Sequence, residues 1–98
     1  MSNITTLSII VPAYNEEKTI EKLLEVVSNV ELIHSIKKEL IVINDCSTDN
    51  TEVAINRFIE NHKSVNIRYL KHEVNQGKGA AIHTGIQYAT GEYLIIFR

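Results

Sequence analysis

Three short runs along the chain are almost purely apolar and rich in β-branched residues: LSIIV (Leu7 to Val11), LIVI (Leu40 to Ile43) and YLIIF (Tyr93 to Phe97). Unbroken rather than alternating apolar character is what strands covered on both faces show, so all three are predicted as central strands. Between the first two, Ile20, Leu23, Leu24, Val27 and Val30 recur at helical spacing, with Asn15 a candidate N-cap. After the second, DNTE (Asp49 to Glu52) has the form of a capping box with Asp49 as the cap, ahead of a stripe of Ala54, Ile55, Phe58 and Ile59. NIRYLKH (Asn66 to His72) alternates, with Ile67, Tyr69 and Lys71 opposite Arg68 and Leu70, which suits a strand near a sheet edge. Lys78 to Gly91 then predicts a third helix that packs Ala81, Ile82, Gly85, Ile86 and Ala89, with Gly91 as its stop.

The order is therefore βαβαβαβ. Strands separated by helices require right-handed crossovers, which build a parallel sheet with helices on both faces, and the strand order expected is 3-2-1-4. The winding then reverses between strands 1 and 4, and ligands of such Rossmann-like α/β sheets bind beyond the carboxyl ends of the strands at that reversal.

Composition narrows the partners. With 98 residues, one proline, four glycines and no linker-like stretch, the chain forms a single unit, 1–98, able to bury only about 60–70% of its unfolded surface. Ten Lys/Arg against twelve Asp/Glu, spread along the chain, leave no basic patch for a nucleic-acid backbone. The single Cys46 fits a reducing, cytoplasmic setting, and no apolar run approaches the roughly 20 residues of a membrane span.

Three polar clusters fall at the predicted carboxyl ends. In PAYNEE (Pro12 to Glu17), proline fixes the exit from the strand, Tyr14 offers a flat face to a ring, and Glu16 accepts hydrogen bonds; alone, the segment reads equally well as a turn and cap. In NDCSTDNT (Asn44 to Thr51), Asp45 could read the N–H edge of a base, whereas Ser47, Thr48 and Asp49 are read as caps for open helix N–H groups. In NQGKGAA (Asn75 to Ala81), two glycines permit close backbone approach, and Lys78 adds charge to a helix start that is already positive, so an anion is the natural ligand.

Other motifs fail on their spacing. His72 and Gly79 stand where a Walker A loop needs Gly and Ser or Thr, and Ile82 replaces the third small residue of a dinucleotide fingerprint. Asn50 and Asn56 replace the glycine and glutamate of a calcium loop. His34, His62, His72 and His83 lack ligand spacing and read as surface or packed histidines, and Cys46 as an ordinary loop residue.

Together the clusters resemble the inverting glycosyltransferases of family 2. The opening V-P-x-Y-N-E pattern matches Val11, Pro12, Tyr14, Asn15 and Glu16. D-D-x-S-x-D-x-T matches Asp45, Ser47, Asp49 and Thr51, with Asn44 in place of the first aspartate. N-x-G-K-G-x-A and A-x-G-[DE]-[YF]-[LI] match Asn75, Gly77, Lys78, Gly79, Ala81, Ala89, Gly91, Glu92, Tyr93 and Leu94. The likeness is strongest to the dolichyl-phosphate and polyprenyl-phosphate sugar synthases. It implies the N-terminal, donor-binding half of a GT-A fold and a UDP- or GDP-linked sugar as partner. The acceptor it implies is of the polyprenyl-phosphate kind, with relatives acting at the cytoplasmic face of the membrane. By the same resemblance Pro12, Ala13, Tyr14 and Glu16 line the nucleoside pocket, Ile43 lies beneath the base, Asp45 bonds its edge and Lys78 faces the phosphates.

In that branch the strand beginning G-[DE]-Y-L-I-I leads at once to aspartates that hold Mg²⁺ or Mn²⁺ against the diphosphate. Phe97 and Arg98 stand at that point, so a truncated chain without its metal ligands or catalytic base is expected, inactive by itself, with its last strand left as an edge prone to self-association. A non-catalytic doubly wound nucleotide-binding domain would share the alternation but not Pro-x-Tyr-Asn-Glu together with Asn-x-Gly-Lys-Gly. A purely structural role predicts no ligand effect on stability.

Overall fold

The computed structural model describes residues 5–30 and 36–97. Four parallel strands, β1 (Thr5–Ala13), β2 (Ile36–Asn44), β3 (Ile67–Lys71) and β4 (Tyr93–Ile96), form one sheet in the order β3-β2-β1-β4. Helices α1 (Ile20–Asn29), α2 (Thr51–Asn61) and α3 (Lys78–Tyr88) are the crossovers between them. Both the predicted alternation and the predicted order hold. The strands β1 and β2 are longer than their apolar runs, because Thr5 to Ser8 pair with Ile36 to Glu39 through the backbone, which needs no apolar side chain.

The two-residue period of the strands divides the core in two. Ile9, Val11, Ala13, Leu40 and Val42 face one side and pack with Ile20, Leu24 and Val27 of α1 and Ala54, Ile55 and Phe58 of α2. Ile10, Ile41 and Ile43 face the other side and pack with Ala81 of α3. Each of the buried Val, Leu, Ile and Phe side chains among them contributes about 1.5–3 kcal/mol. Two consecutive right-handed crossovers put α1 and α2 on one face; reversal of direction after β3 puts α3 on the other.

Several local expectations give way to tertiary contacts. Asn15 does not cap α1; it lies in the left-handed region at φ 52°, and Thr19 precedes the helix. The capping box does not form, because Asn50 rather than Asp49 precedes α2 and makes no side-chain cap bond. Asp49 accepts from the Thr51 N–H, but Glu52 turns to Tyr69 Oη and Lys71 Nζ on β3 instead of reaching back. Val30 and Ile86 of the predicted stripes are exposed. Gly91 does not end α3, which stops at Tyr88. A Cβ on Gly91 would lie 2.5 Å from the Thr6 carbonyl oxygen, so glycine there lets the chain run against β1. The third apolar run forms a strand at the sheet edge, as the order 3-2-1-4 requires and not at the centre that its unbroken apolar pattern suggests, with Tyr93, Leu94 and Ile95 exposed. Arg98 and His34 lie outside the described residues.

Candidate functional site

The loops leaving β1 and β2 are bonded to each other at almost every step. The Asn15 N–H donates to Ser47 Oγ, and Asn15 Oδ1 accepts from the Thr48 N–H at 2.8 Å. One residue on, the Glu16 N–H donates to Thr51 Oγ1 at 2.8 Å; the Glu17 N–H donates to Asp49 Oδ2. The left-handed turn at Asn15 aims its amide at the second loop while Tyr14 and Glu16 stay exposed beside it. Ser47 and Thr48 therefore join loops rather than cap α2, and of the three predicted caps only Asp49 serves a helix N–H.

Asp45 begins the second wall. Its residue is 3% exposed, and its carboxylate accepts from His72 Nδ1 at 2.8 Å, the Gln76 N–H at 2.9 Å and the Gly77 N–H at 2.8 Å. Burial, the largest single influence, opposes its charge. The donors from Gln76, His72 and Gly77 together outweigh it and hold the carboxyl below the ordinary aspartate range. Gly77, at φ 96°, takes a conformation that a side chain would strain, and that turn delivers Lys78 to the start of α3. His72 Nε2 lies 2.8 Å from Thr84 Oγ1, which ties the group to the second turn of α3.

Asn44, where the resemblance leads one to expect aspartate, is buried, and both its side-chain oxygen and its nitrogen are bonded. Its Nδ2 donates to Tyr69 Oη, and its Oδ1 accepts from the Ser47 N–H and hydroxyl. Tyr69 in turn donates to Glu52. An aspartate could not donate to that oxygen, so the amide suits this neighbourhood. Burial, opposed by the Asn44 amide and reinforced by Glu52, pushes the Tyr69 hydroxyl up to about 12.

Pro12, Ala13, Tyr14, Glu16, Asp45 and Lys78 all line one open cleft of about 350 Å³ at the carboxyl ends of β1 and β2, together with Asn75, Gly77 and Ala81. Ile43 is the exception: it is fully buried on the α3 side, against the position of Gly85, and does not reach the cleft surface. Motif reading singled out Asp45 and passed over His72, because a histidine without ligand spacing gives no local signal. Among the described residues no three His, Cys, Asp or Glu side chains are grouped to hold a metal ion.

Comparisons with known proteins give the sequence and the fold a family. The sequence profile of glycosyl transferase family 2 matches residues 8–97. The chain belongs to glycosyl transferase family 2. Dolichyl-phosphate beta-glucosyltransferase of Dictyostelium discoideum is 36% identical over 97 residues, covering 92% of this chain and 29% of the relative. A mannosyltransferase of Pyrobaculum calidifontis, PcManGT, solved in complex with GDP-Man and Mn2+, superposes with a TM-score of 0.81 at 29% identity. That match covers 94% of this chain and 26% of the mannosyltransferase. TarS of S. aureus in complex with UDP gives a TM-score of 0.78 at 30% identity, covering 94% and 26%. This family 2 chain thus spans under a third of the length of these relatives. The sheet has the GT-A architecture of those neighbours, and no helix among the described residues is long and apolar enough to cross a membrane.

Proposed function

We propose that this chain forms the donor-binding wall of an inverting glycosyltransferase, and that its cleft takes the nucleoside of a UDP- or GDP-linked sugar. The observation that carries the reading is the convergence of an exposed aromatic face, two carboxylates and one lysine on a single cleft at the switch point of a family 2 sheet. Tyr14 lies against the base, and Pro12 and Ala13 form the floor of the pocket. Glu16 is the open acceptor for N–H or hydroxyl donors, since apart from the Thr19 hydroxyl its carboxylate carries no side-chain hydrogen bond. Asp45 keeps about one acceptor position of its four, and Ile43 supports the pocket only from behind, through α3. Lys78, at the start of α3, faces the phosphates with the positive end of the helix.

In the reaction an acceptor oxygen attacks the anomeric carbon from the face opposite the diphosphate. A C–O bond forms as the bond to the leaving diphosphate breaks, the electron pair departs with the diphosphate, and configuration inverts. A polyprenyl phosphate is the acceptor class the resemblance favours, at the cytoplasmic face of a membrane, and it has no proton to remove. In the family a divalent Mg²⁺ or Mn²⁺ stabilises the leaving charge. The described residues show no grouping that fits such an ion. The 98 residues by themselves are expected to bind without transferring sugar.

Calorimetry with UDP and GDP, with and without Mn²⁺, tests this. Binding near millimolar, about −4 kcal/mol, is expected, with little effect of manganese. Sugar transfer by these residues alone, or a large metal-dependent gain, would contradict the expectation.

A further inference from the structure

His72 lies outside every motif, yet it makes two side-chain bonds at the edge of the cleft. It is 8% exposed, and its ring bridges the Asp45 carboxylate and the Thr84 hydroxyl, each at 2.8 Å. An ionised carboxylate only accepts, so Nδ1 carries the proton toward Asp45. In the neutral ring Nε2 then accepts from the Thr84 hydroxyl, and this one tautomer satisfies both contacts. Asp45 passes the constraint on by binding the Gln76 and Gly77 N–H groups, the last two before Lys78. The ring therefore connects the exit of β2, the loop of the far wall and the body of α3.

We infer that His72 is a positioning residue for the cleft: through Asp45 it fixes the remaining acceptor of that carboxylate and the Gln76–Gly77 backbone that presents Lys78. Asp45 is then chiefly the pivot of a relay inside the wall, and the base edge is left largely to Glu16. Asp45 is free to turn toward a ligand only at the expense of bonds to two backbone N–H groups and a buried ring. This inference rests on the nucleoside reading of the cleft for its effect on affinity, but its structural half stands apart from that reading.

The test compares the full 98-residue chain with His72→Ala, His72→Asn and Thr84→Val. Asparagine places an amide N–H close to where Nδ1 was, keeping the Asp45 contact while losing both the ring and Thr84; valine keeps the ring and its Asp45 contact and removes only the partner of Nε2. Amide exchange by NMR at Gln76 and Gly77 is expected to rise about tenfold in His72→Ala relative to the β1 and β2 amides. His72→Asn is expected to restore it largely, with Thr84→Val in between. At a temperature where each variant is folded, affinity for GDP or UDP is expected to fall about tenfold in His72→Ala and to recover in His72→Asn. A histidine that merely stabilised the fold would lower the melting temperature and leave the affinity of the folded protein unchanged, and that result would overturn the inference. Unaltered exchange at Gln76 and Gly77 in His72→Ala would overturn it as well. If the unaltered chain binds neither nucleotide, the nucleoside reading fails, and the exchange pattern still decides whether His72 holds the wall.

Discussion

Replacing Gly85 by alanine adds one methyl group where α3 touches the sheet most closely. That Cβ would sit 2.6 Å from Ile10 Cγ2, 2.8 Å from Ile43 Cδ1 and 3.0 Å from Ile10 Cδ1. Both isoleucines are completely buried, and Cγ2 of Ile10 is fixed to a branched Cβ, so it cannot yield without turning χ1. Alanine gains about 1 kcal/mol in helix propensity, whereas overpacking of this kind costs about 1–3 kcal/mol. With contacts this short the upper part of that range applies, and a net loss of about 1–2 kcal/mol is expected. In a domain of this size that lowers the melting temperature by roughly 5–15 °C. Gly79→Ala, in the first turn of the same helix, meets nothing within 4 Å and isolates the propensity term. Its expected effect is a gain of about 0.5–1 kcal/mol. Urea unfolding followed by far-ultraviolet circular dichroism reads both variants, with m unchanged. A Gly85→Ala protein as stable as the parent would refute the close packing of α3 on β1 and β2, and with it the placement of the cleft wall that α3 carries.

Cys46 sits at φ 59° with Sγ 3.4 Å from the Glu73 carbonyl oxygen. Cys46→Gly removes about 1–2 kcal/mol of left-handed strain and one weak contact, so thermal unfolding should show a net gain of up to about 1 kcal/mol. The folded-state value of Asp45 is depressed. Its contribution to stability is therefore complete above the unfolded value, near 3.8, and is lost as pH falls through the lower folded value. Asp45→Asn should flatten the acid limb of stability against pH below about pH 5, measured by urea unfolding. The exposed edge of β4, with Tyr93 66% exposed, should drive concentration-dependent self-association in sedimentation, and Leu94→Lys should abolish it; a clean monomer at high concentration would count against this.

What was legible in the sequence was what is local and periodic. LSIIV, LIVI and the helical stripes around Leu24, Ala54 and Ala81 were read directly as a doubly wound sheet, because burial imposes its period on the chain. The motif positions Pro12, Ala13, Tyr14, Glu16, Asp45 and Lys78 do meet at one cleft. What escaped was pairing across long separations. Asn15 looks like a cap, yet it bonds residues of the second loop, 32 and 33 positions away. Asp45 looks open to a ligand, yet it is engaged by His72, Gln76 and Gly77. Gly91 resembles a helix stop because the sequence records only the missing side chain, not the Thr6 carbonyl that excludes it. Ile43 carries the apolar pattern of its strand, and the pattern alone cannot distinguish a residue beneath a ligand from one beneath α3.

The central claim is that the cleft between the β1 exit and the start of α3 holds a nucleoside diphosphate. Titration of the isotope-labelled chain with GDP and UDP, followed residue by residue in amide NMR spectra, tests it most directly. Saturable shifts at millimolar ligand confined to Tyr14, Glu16, Asp45 and Gln76 to Gly79, and lost in Tyr14→Ala, are the predicted result. No shifts up to about 10 mM, or shifts centred on Lys37 and Asn66 at the opposite end of the sheet, would contradict it.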